Sequence, residues 1–213
     1  LAMFQGGKTS VLTIIGSSAV VNGLRVLHLI YEDFYSDIGR MYDRIFLDRS
    51  FSFTESTGKL RLVDSTSLVP DLQDITSLVQ EYKADVLILD YAELIPSKGS
   101  AGEEGKRHRL RDTFVKLRRL AGITNIAVWT AHQATVRVSE HGEALLRLTP
   151  DRISESKHIG ATTDVLLGFA LSSPFDGKIY TTIMKGKHRP RAIPDFYALN
   201  VDFSIPKIFS TFS

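Results

Sequence analysis

The feature that most constrains this chain is a set of short, nearly continuous apolar runs. Val86-Leu87-Ile88-Leu89 ends in Asp90, and Leu24-Arg25-Val26-Leu27-His28-Leu29-Ile30-Tyr31 follows an Asn22-Gly23 turn. Ile126 to Thr130 and Val165 to Phe169 repeat the pattern. A strand that is apolar at nearly every position has both faces buried, as in a parallel sheet covered on each side. A strand with one wet face would alternate instead. Helical patterns lie between the runs. Ser36 to Phe46 sets Ile38, Met41, Tyr42 and Ile45 on one face, and Pro70 to Tyr82 does so with Leu72, Ile75, Leu78 and Val79. The proline suits a helix start. Glu103 to Leu120 is a basic amphipathic helix, Leu60 to Val63 a short strand, and Ile179 to Met184 and Phe196 to Val201 are further strands. The order predicts an α/β fold with a mostly parallel twisted sheet and helices on both faces.

A chain of 213 residues with 43% apolar content can bury such a sheet within a single domain, residues 1–213. The net charge of +2 is too small to indicate nucleic acid, so local clusters must carry that argument. With no Cys there is no disulfide framework, thiolate metal site or Cys nucleophile. That fits a reducing cytoplasm. No apolar run reaches the roughly 20 residues of a membrane helix, and the start lacks a signal-peptide layout, so no membrane partner is expected.

The N-terminus supplies the chemical motif. Gly6, Gly7, Lys8, Thr9 and Ser10 match the second half of G-x-x-x-x-G-K-[ST], with Ala2 at the first glycine position. In such a loop glycines let backbone N–H groups turn around a phosphate. The Lys reaches the outer phosphates, and the Ser or Thr hydroxyl holds Mg²⁺. The following helix adds its positive end, and Val11, Leu12, Ile14 and Ile15 give it an apolar face. A phosphate loop normally follows a buried strand. The expectation is therefore that a first strand, and any upstream domain, lie outside this chain.

Three strand ends complete the constellation. Asp90, closing an apolar strand downstream of the loop, is placed to bind Mg²⁺. Glu32 ends the strand after the first helix, where a carboxylate can polarise an attacking water; Asp33 is adjacent and competes for that role. Gln133, after Ile126 to Thr130, is placed to sense the terminal phosphate. His132 beside it is either in the same site or a packed histidine.

The order of these elements resembles the RecA-like ATPase domain of DnaB-type replicative helicases, including bacteriophage ones. AMFQGGKT (Ala2 to Thr9) is similar to that family's phosphate loop, which often has Ala for the first Gly. Leu29-Ile30-Tyr31-Glu32 is similar to its strand ending in the catalytic Glu, and VLILDYAEL (Val86 to Leu94) to its Walker B segment. VWTAHQ (Val128 to Gln133) resembles its strand ending in Gln, and RISESKHIGATTD (Arg152 to Asp164) its Glu-Ser-rich turn. IMKGKHRP (Ile183 to Pro190) resembles its Lys-x-Arg hairpin, here Lys185-Gly186-Lys187. The resemblance implies a RecA-like phosphate-loop NTPase fold with antiparallel strands near the C-terminus. It implies ATP and Mg²⁺ as cofactors, a homo-oligomeric hexameric ring, and a cytoplasmic site of action in a bacterium or phage-infected host. Single-stranded DNA, and a primase or loader, are the implied partners. Lys185 and Lys187, with Arg189 as the substitute, would reach a neighbour's site.

In that family the loops after the Walker B strand and after the Gln-bearing strand face DNA. Here they carry Lys98, Lys106 and Arg107, and Arg137 and Arg147. Such cations bind phosphates without sequence preference, although a basic run is equally a solvated helix face. Two other readings use the same residues. A RecA-type recombinase or circadian-clock-type ATPase shares the loop, the Glu and the strand-end Asp. A helicase loader or scaffold subunit would bind ATP without turning it over.

Overall fold

The apolar runs at Val26–Ile30, Val86–Asp90 and Ala127–Thr130 pair as parallel strands, whereas the run at Val165–Leu171 pairs antiparallel with the strand after it. A computed structural model of the chain describes residues 7–51, 56, 58–96, 103–132, 159, 161–171, 178–186, 196–202 and 207–210. Helix α1 (Lys8–Val21) leads to strand β1 (Val26–Ile30), helix α2 (Tyr35–Asp48) and strand β2 (Leu60–Asp64). Helix α3 (Leu72–Tyr82), strand β3 (Val86–Asp90), a 3-10 turn (Ala92–Leu94), helix α4 (Glu103–Thr124) and strand β4 (Ala127–Thr130) follow. Strands β5 (Val165–Leu171), β6 (Lys178–Gly186), β7 (Phe196–Asp202) and β8 (Lys207–Ser210) end the chain. The chain divides into two compact units: Lys8–His132, and Gln133–Ser213 together with Leu1–Gly7.

In the first unit the sheet runs β2-β1-β3-β4, with every pairing parallel. All positions of β1 and β3 are buried, the polar His28 and Asp90 with the apolar residues around them. Alternate side chains serve opposite faces. Leu27, Leu29, Leu87 and Leu89 pack with Ile75 and Val79 of α3 and Leu117 and Leu120 of α4. Val26, Ile30, Val86 and Ile88 pack with Leu12 and Val20 of α1 and with Ile38, Tyr42 and Phe46 of α2. Each fully buried Leu or Ile contributes about 1.5–3 kcal/mol, so two-faced burial is the main support of this sheet.

Element ends differ from the sequence pattern for local reasons. Asp71, after Pro70, caps α3: its carboxylate accepts from the N–H groups of Gln73 (2.7 Å) and Asp74 (3.0 Å), and Asp74 accepts from the Asp71 N–H. A reciprocal capping box satisfies donors that a proline start leaves open. Helix α4 runs on to Thr124 and gives way to Asn125 at φ +52°, a left-handed conformation that Asn tolerates. The buried face of α1 is Val11, Leu12, Thr13, Gly16, Ser17 and Val20, while Ile14 and Ile15 are half-buried. Small polar residues can be buried there because the Thr13 and Ser17 hydroxyls each donate to the carbonyl one turn back, at 2.8 Å.

Gly16 has a steric reason. A Cβ at that position would lie 2.1 Å from Tyr42 Oη and 2.9 Å from Ile88 Cδ1. Tyr42 Oη in turn is 3.0 Å from Nδ1 of His28, which is fully buried in β1. Burial lowers the His28 pKa to about 3, so the ring is neutral and shares a neutral hydrogen bond with the phenol.

The second unit holds an antiparallel sheet, β5-β6-β7-β8, with a bulge between Leu166 and Leu167. Antiparallel strands near the C-terminus are as expected; β8 is additional.

Gly16→Ala should lower stability by about 1–3 kcal/mol, the usual penalty of overpacking, despite the better helix propensity of Ala. In a Tyr42→Phe background, which removes the obstructing oxygen, the penalty should shrink. Urea denaturation of the single and double variants checks this; equal penalties in both backgrounds would refute the steric account.

Candidate active site

The register of β1 on β3 builds the site. Ile30 lies opposite Asp90, and the Tyr31 N–H donates to the Asp90 carbonyl at 3.1 Å. Glu32 and Asp33 therefore leave the sheet beside Asp90 and Tyr91. Helix α1 begins at Lys8, directly after Gly7 at φ +68°, a left-handed conformation that glycine adopts without strain. The first turn of α1 has N–H groups without intrahelical acceptors, at the positive end of the helix dipole.

The side chains interlock. Thr9 donates its hydroxyl to Asp33 Oδ2 at 2.7 Å and also lies within reach of Asp90. Lys8 Nζ sits 4.2 Å from the centroid of the Tyr91 ring. The Tyr91 hydroxyl is within hydrogen-bonding reach of the Glu32 carboxylate. Asp90 is only 3% exposed, and its Oδ2 has no hydrogen-bond partner among the described residues. Burial pushes its pKa up to about 6; the charges of Asp33 and Glu32 add to the rise, while the Thr9 hydroxyl and Lys8 oppose it. Burial, with the Glu32 charge and hydrogen bond, pushes the Tyr91 phenol up to about 12.

A second layer fixes the strand ends. Thr130 Oγ1 donates to the Leu89 carbonyl and accepts from the Ala92 N–H, both at 2.9 Å. This ties the turn after β3 to β4. Just beyond, His132 Nδ1 meets Glu93 Oε1, with side-chain exposures of 13% and 21%. His132 is thus a partner of Glu93, a residue the sequence did not single out.

Of the sequence candidates, Lys8, Thr9, Glu32 and Asp90 lie in this cluster, with Gly7 and Ser10 at the start of α1. Asp33, the competing base, is instead bonded to Thr9. Lys106 and Arg107 fall on α4 and Lys185 on β6 opposite Leu166; only their backbone is described. Gly6, Lys98, Gln133, Arg137, Arg147, Lys187 and Arg189 lie outside the described residues. Sequence reasoning missed Tyr91 as a site residue. Its cues were its place in the Walker B-like segment VLILDYAEL and a polar aromatic directly after a strand-end acid.

Among the described residues no three His, Asp or Glu side chains gather as a metal-binding group. Mg²⁺ needs none, since it takes one or two carboxylates with water and substrate phosphate oxygens. The unpartnered Asp90 Oδ2 and the nearby Thr9 hydroxyl fit that donor set. Among the same residues no helix is long and apolar enough to cross a membrane.

No protein-family model and no curated protein matches this sequence. Solved structures do match its fold. One, described as an ATPase domain, superposes with a TM-score of 0.75 at 12% identity, over 97% of this chain and 81% of that one. A DnaB-like replicative helicase, described with its primase interactions, gives 0.74 at 13% identity over 97% of this chain. This chain spans just over half, 56%, of that helicase. A KaiC-like protein, PH0186 from Pyrococcus horikoshii OT3, gives 0.65 at 16% identity over 96% and 84%. The chain thus has the RecA-like α/β fold of these structures.

Asp90 is ionised at neutral pH in a place that disfavours its charge. Its folded pKa of about 6 stands above the ordinary value of 3.8. The stability it contributes is full below pH 4 and is lost as pH rises through 6. Asp90→Asn should therefore stabilise the nucleotide-free protein at pH 8, by on the order of 1–3 kcal/mol. The gain should vanish near pH 4. Denaturant melts at both pH values test this; a gain independent of pH would contradict it.

Proposed function

We propose that this chain is the ATP-hydrolysing motor of a ring-forming, DnaB-type DNA helicase that moves along single-stranded DNA during replication. The observation that carries the reading is the convergence of Lys8 and Thr9, at the start of α1, with Asp90 and Glu32 at the carboxyl ends of β3 and β1. Ligands in open α/β sheets bind at such strand ends. The likeness in fold to a solved ATPase domain and to a DnaB-like helicase supports it.

In this reading the first-turn N–H groups of α1 and the Lys8 ammonium bind the outer phosphates of ATP. Thr9 and Asp90 hold Mg²⁺, which when bound neutralises charge on the phosphates. Asp33 accepts from Thr9 and orients that hydroxyl. Glu32 takes the proton of the attacking water. Gln133 reports the state of the terminal phosphate. Lys185 and Lys187, or Arg189, complete a neighbouring copy's site in a hexameric ring; a Lys there supplies charge without the planar fork of Arg. Lys98, Lys106, Arg107, Arg137 and Arg147 contact DNA phosphates, so binding weakens with salt. A primase or loader is the further partner, and the cytoplasm the place of action. The KaiC-like match favours a second reading, an ATPase of the same fold without helicase work.

The test is ATP hydrolysis with and without single-stranded DNA. Turnover should rise with DNA, and Glu32→Gln should lower it by about 100-fold or more while nucleotide still binds. Lys8→Ala should abolish nucleotide binding. Turnover that ignores DNA would select the second reading. Turnover that survives Glu32→Gln would move the base to Asp33. No turnover in an assembled oligomer would leave a nucleotide-binding scaffold.

A further inference from the structure

Lys8 rests in an unexpected place. The carboxylates of Glu32, Asp33, Asp90 and Glu93 all lie around the Asp90–Tyr91 corner. Yet the Lys8 ammonium sits over the Tyr91 ring, 4.2 Å from its centroid. An ammonium within about 6 Å of a ring centroid is held by the ring quadrupole. The hydroxyl at the tip of that ring lies within reach of Glu32. Tyr91 thus lies against Lys8 of α1 and near Glu32 at the end of β1, two groups of opposite charge from different elements.

We propose that Tyr91 is a positioning residue that parks Lys8 on its ring in the nucleotide-free site and, once phosphate draws Lys8 away, keeps the Glu32 carboxylate oriented through its hydroxyl. The inference rests on the ATPase reading given above.

The backbone around Tyr91 suits such a pivot. Strand β3 holds it on one side, and on the other the Ala92 N–H is bonded to Thr130 Oγ1 of β4 at 2.9 Å. Its place is set by the sheet, whereas Glu32 and Asp33 are exposed beyond a strand end. A phenol, with an ordinary pKa of about 10, is protonated at neutral pH. It can therefore donate to Glu32 without competing for the water's proton. A phosphate offers Lys8 a charge-assisted hydrogen bond, stronger than the ring contact. Leaving the ring costs Lys8 little, and Glu32 keeps its contact.

The test uses the full chain, with Tyr91→Phe and Tyr91→Leu. Tyr91→Phe keeps the ring and removes the hydroxyl. It should lower kcat by about tenfold, the loss of one charge-assisted hydrogen bond, with KM changed less than about twofold. The Lys8 side-chain resonances, assigned with Lys8→Gln, supply a readout other than activity. Without nucleotide they should show a ring-current shift in the parent and in Tyr91→Phe, and none in Tyr91→Leu. Adding a non-hydrolysable ATP analogue with Mg²⁺ should abolish the shift in the parent. An unshifted Lys8 in the resting parent, or an unchanged kcat in Tyr91→Phe despite normal nucleotide binding, would overturn the Tyr91 role alone. A parent that shows the resting shift but binds no nucleotide would overturn the ATPase reading and the transfer of Lys8 with it.

Discussion

Everything in the candidate site depends on one register, that of β1 against β3. With Ile30 opposite Asp90, and the Tyr31 N–H bonded to the Asp90 carbonyl, the chain emerges from both strands at one level. A parallel pair slipped by one residue would turn every side chain to the other face of the sheet. Leu27 and Leu29 would then lose α3 and α4, and Val26 and Ile30 would lose α1 and α2. Apolar burial on both faces therefore locks the register, and the register places Glu32 and Asp33 beside Asp90 and Tyr91. Core packing and site geometry are one constraint.

Charge in this corner is poorly balanced. A nearly buried Asp90 faces Asp33 and Glu32, and its second oxygen lacks a partner among the described residues. Against this stand Lys8, one Thr hydroxyl and the start of α1. Folding alone would not favour such a cluster, since a buried carboxylate without full hydrogen bonding is costly. An imbalance of this kind suits a site that takes a cation and an anion together. Thr9 donates to Asp33 and Lys8 sits over the Tyr91 ring, with Asp90 and Glu32 close to each.

The support beneath the site relies on small residues. Gly16 lets α1 come close enough to Tyr42 and Ile88 that any side chain would collide. Thr13 and Ser17 are buried on the same helix because their hydroxyls turn back to its own carbonyls. The helix that presents Lys8 and Thr9 is thereby pressed onto the sheet that presents Asp90. Apolar periodicity alone pointed to Ile14 and Ile15 for that face, and both are only half-buried.

Read by itself, the chain determines its class of fold. The apolar runs of β1, β3 and β4 alternate with amphipathic helices, and that order points to a parallel sheet covered by those helices; the equally apolar run of β5 pairs antiparallel, because no helical pattern separates it from the next strand. It also marks Lys8, Thr9, Glu32 and Asp90 as candidates, because their residue types stand where a helix starts or a strand stops. Short, mixed β8 carries no such pattern, and the start of α3 moved because a carboxylate cap outranks a proline. What only the tertiary structure decided are the pairings: Asp33 with Thr9, Tyr91 with both Lys8 and Glu32, and His132 with Glu93. Each joins residues from separate elements, so each depends on distances across the sheet. Local periodicity fixes which way a side chain faces, but hydrogen bonds and ring contacts require separations of a few ångströms, and those exist only once the strands are in register.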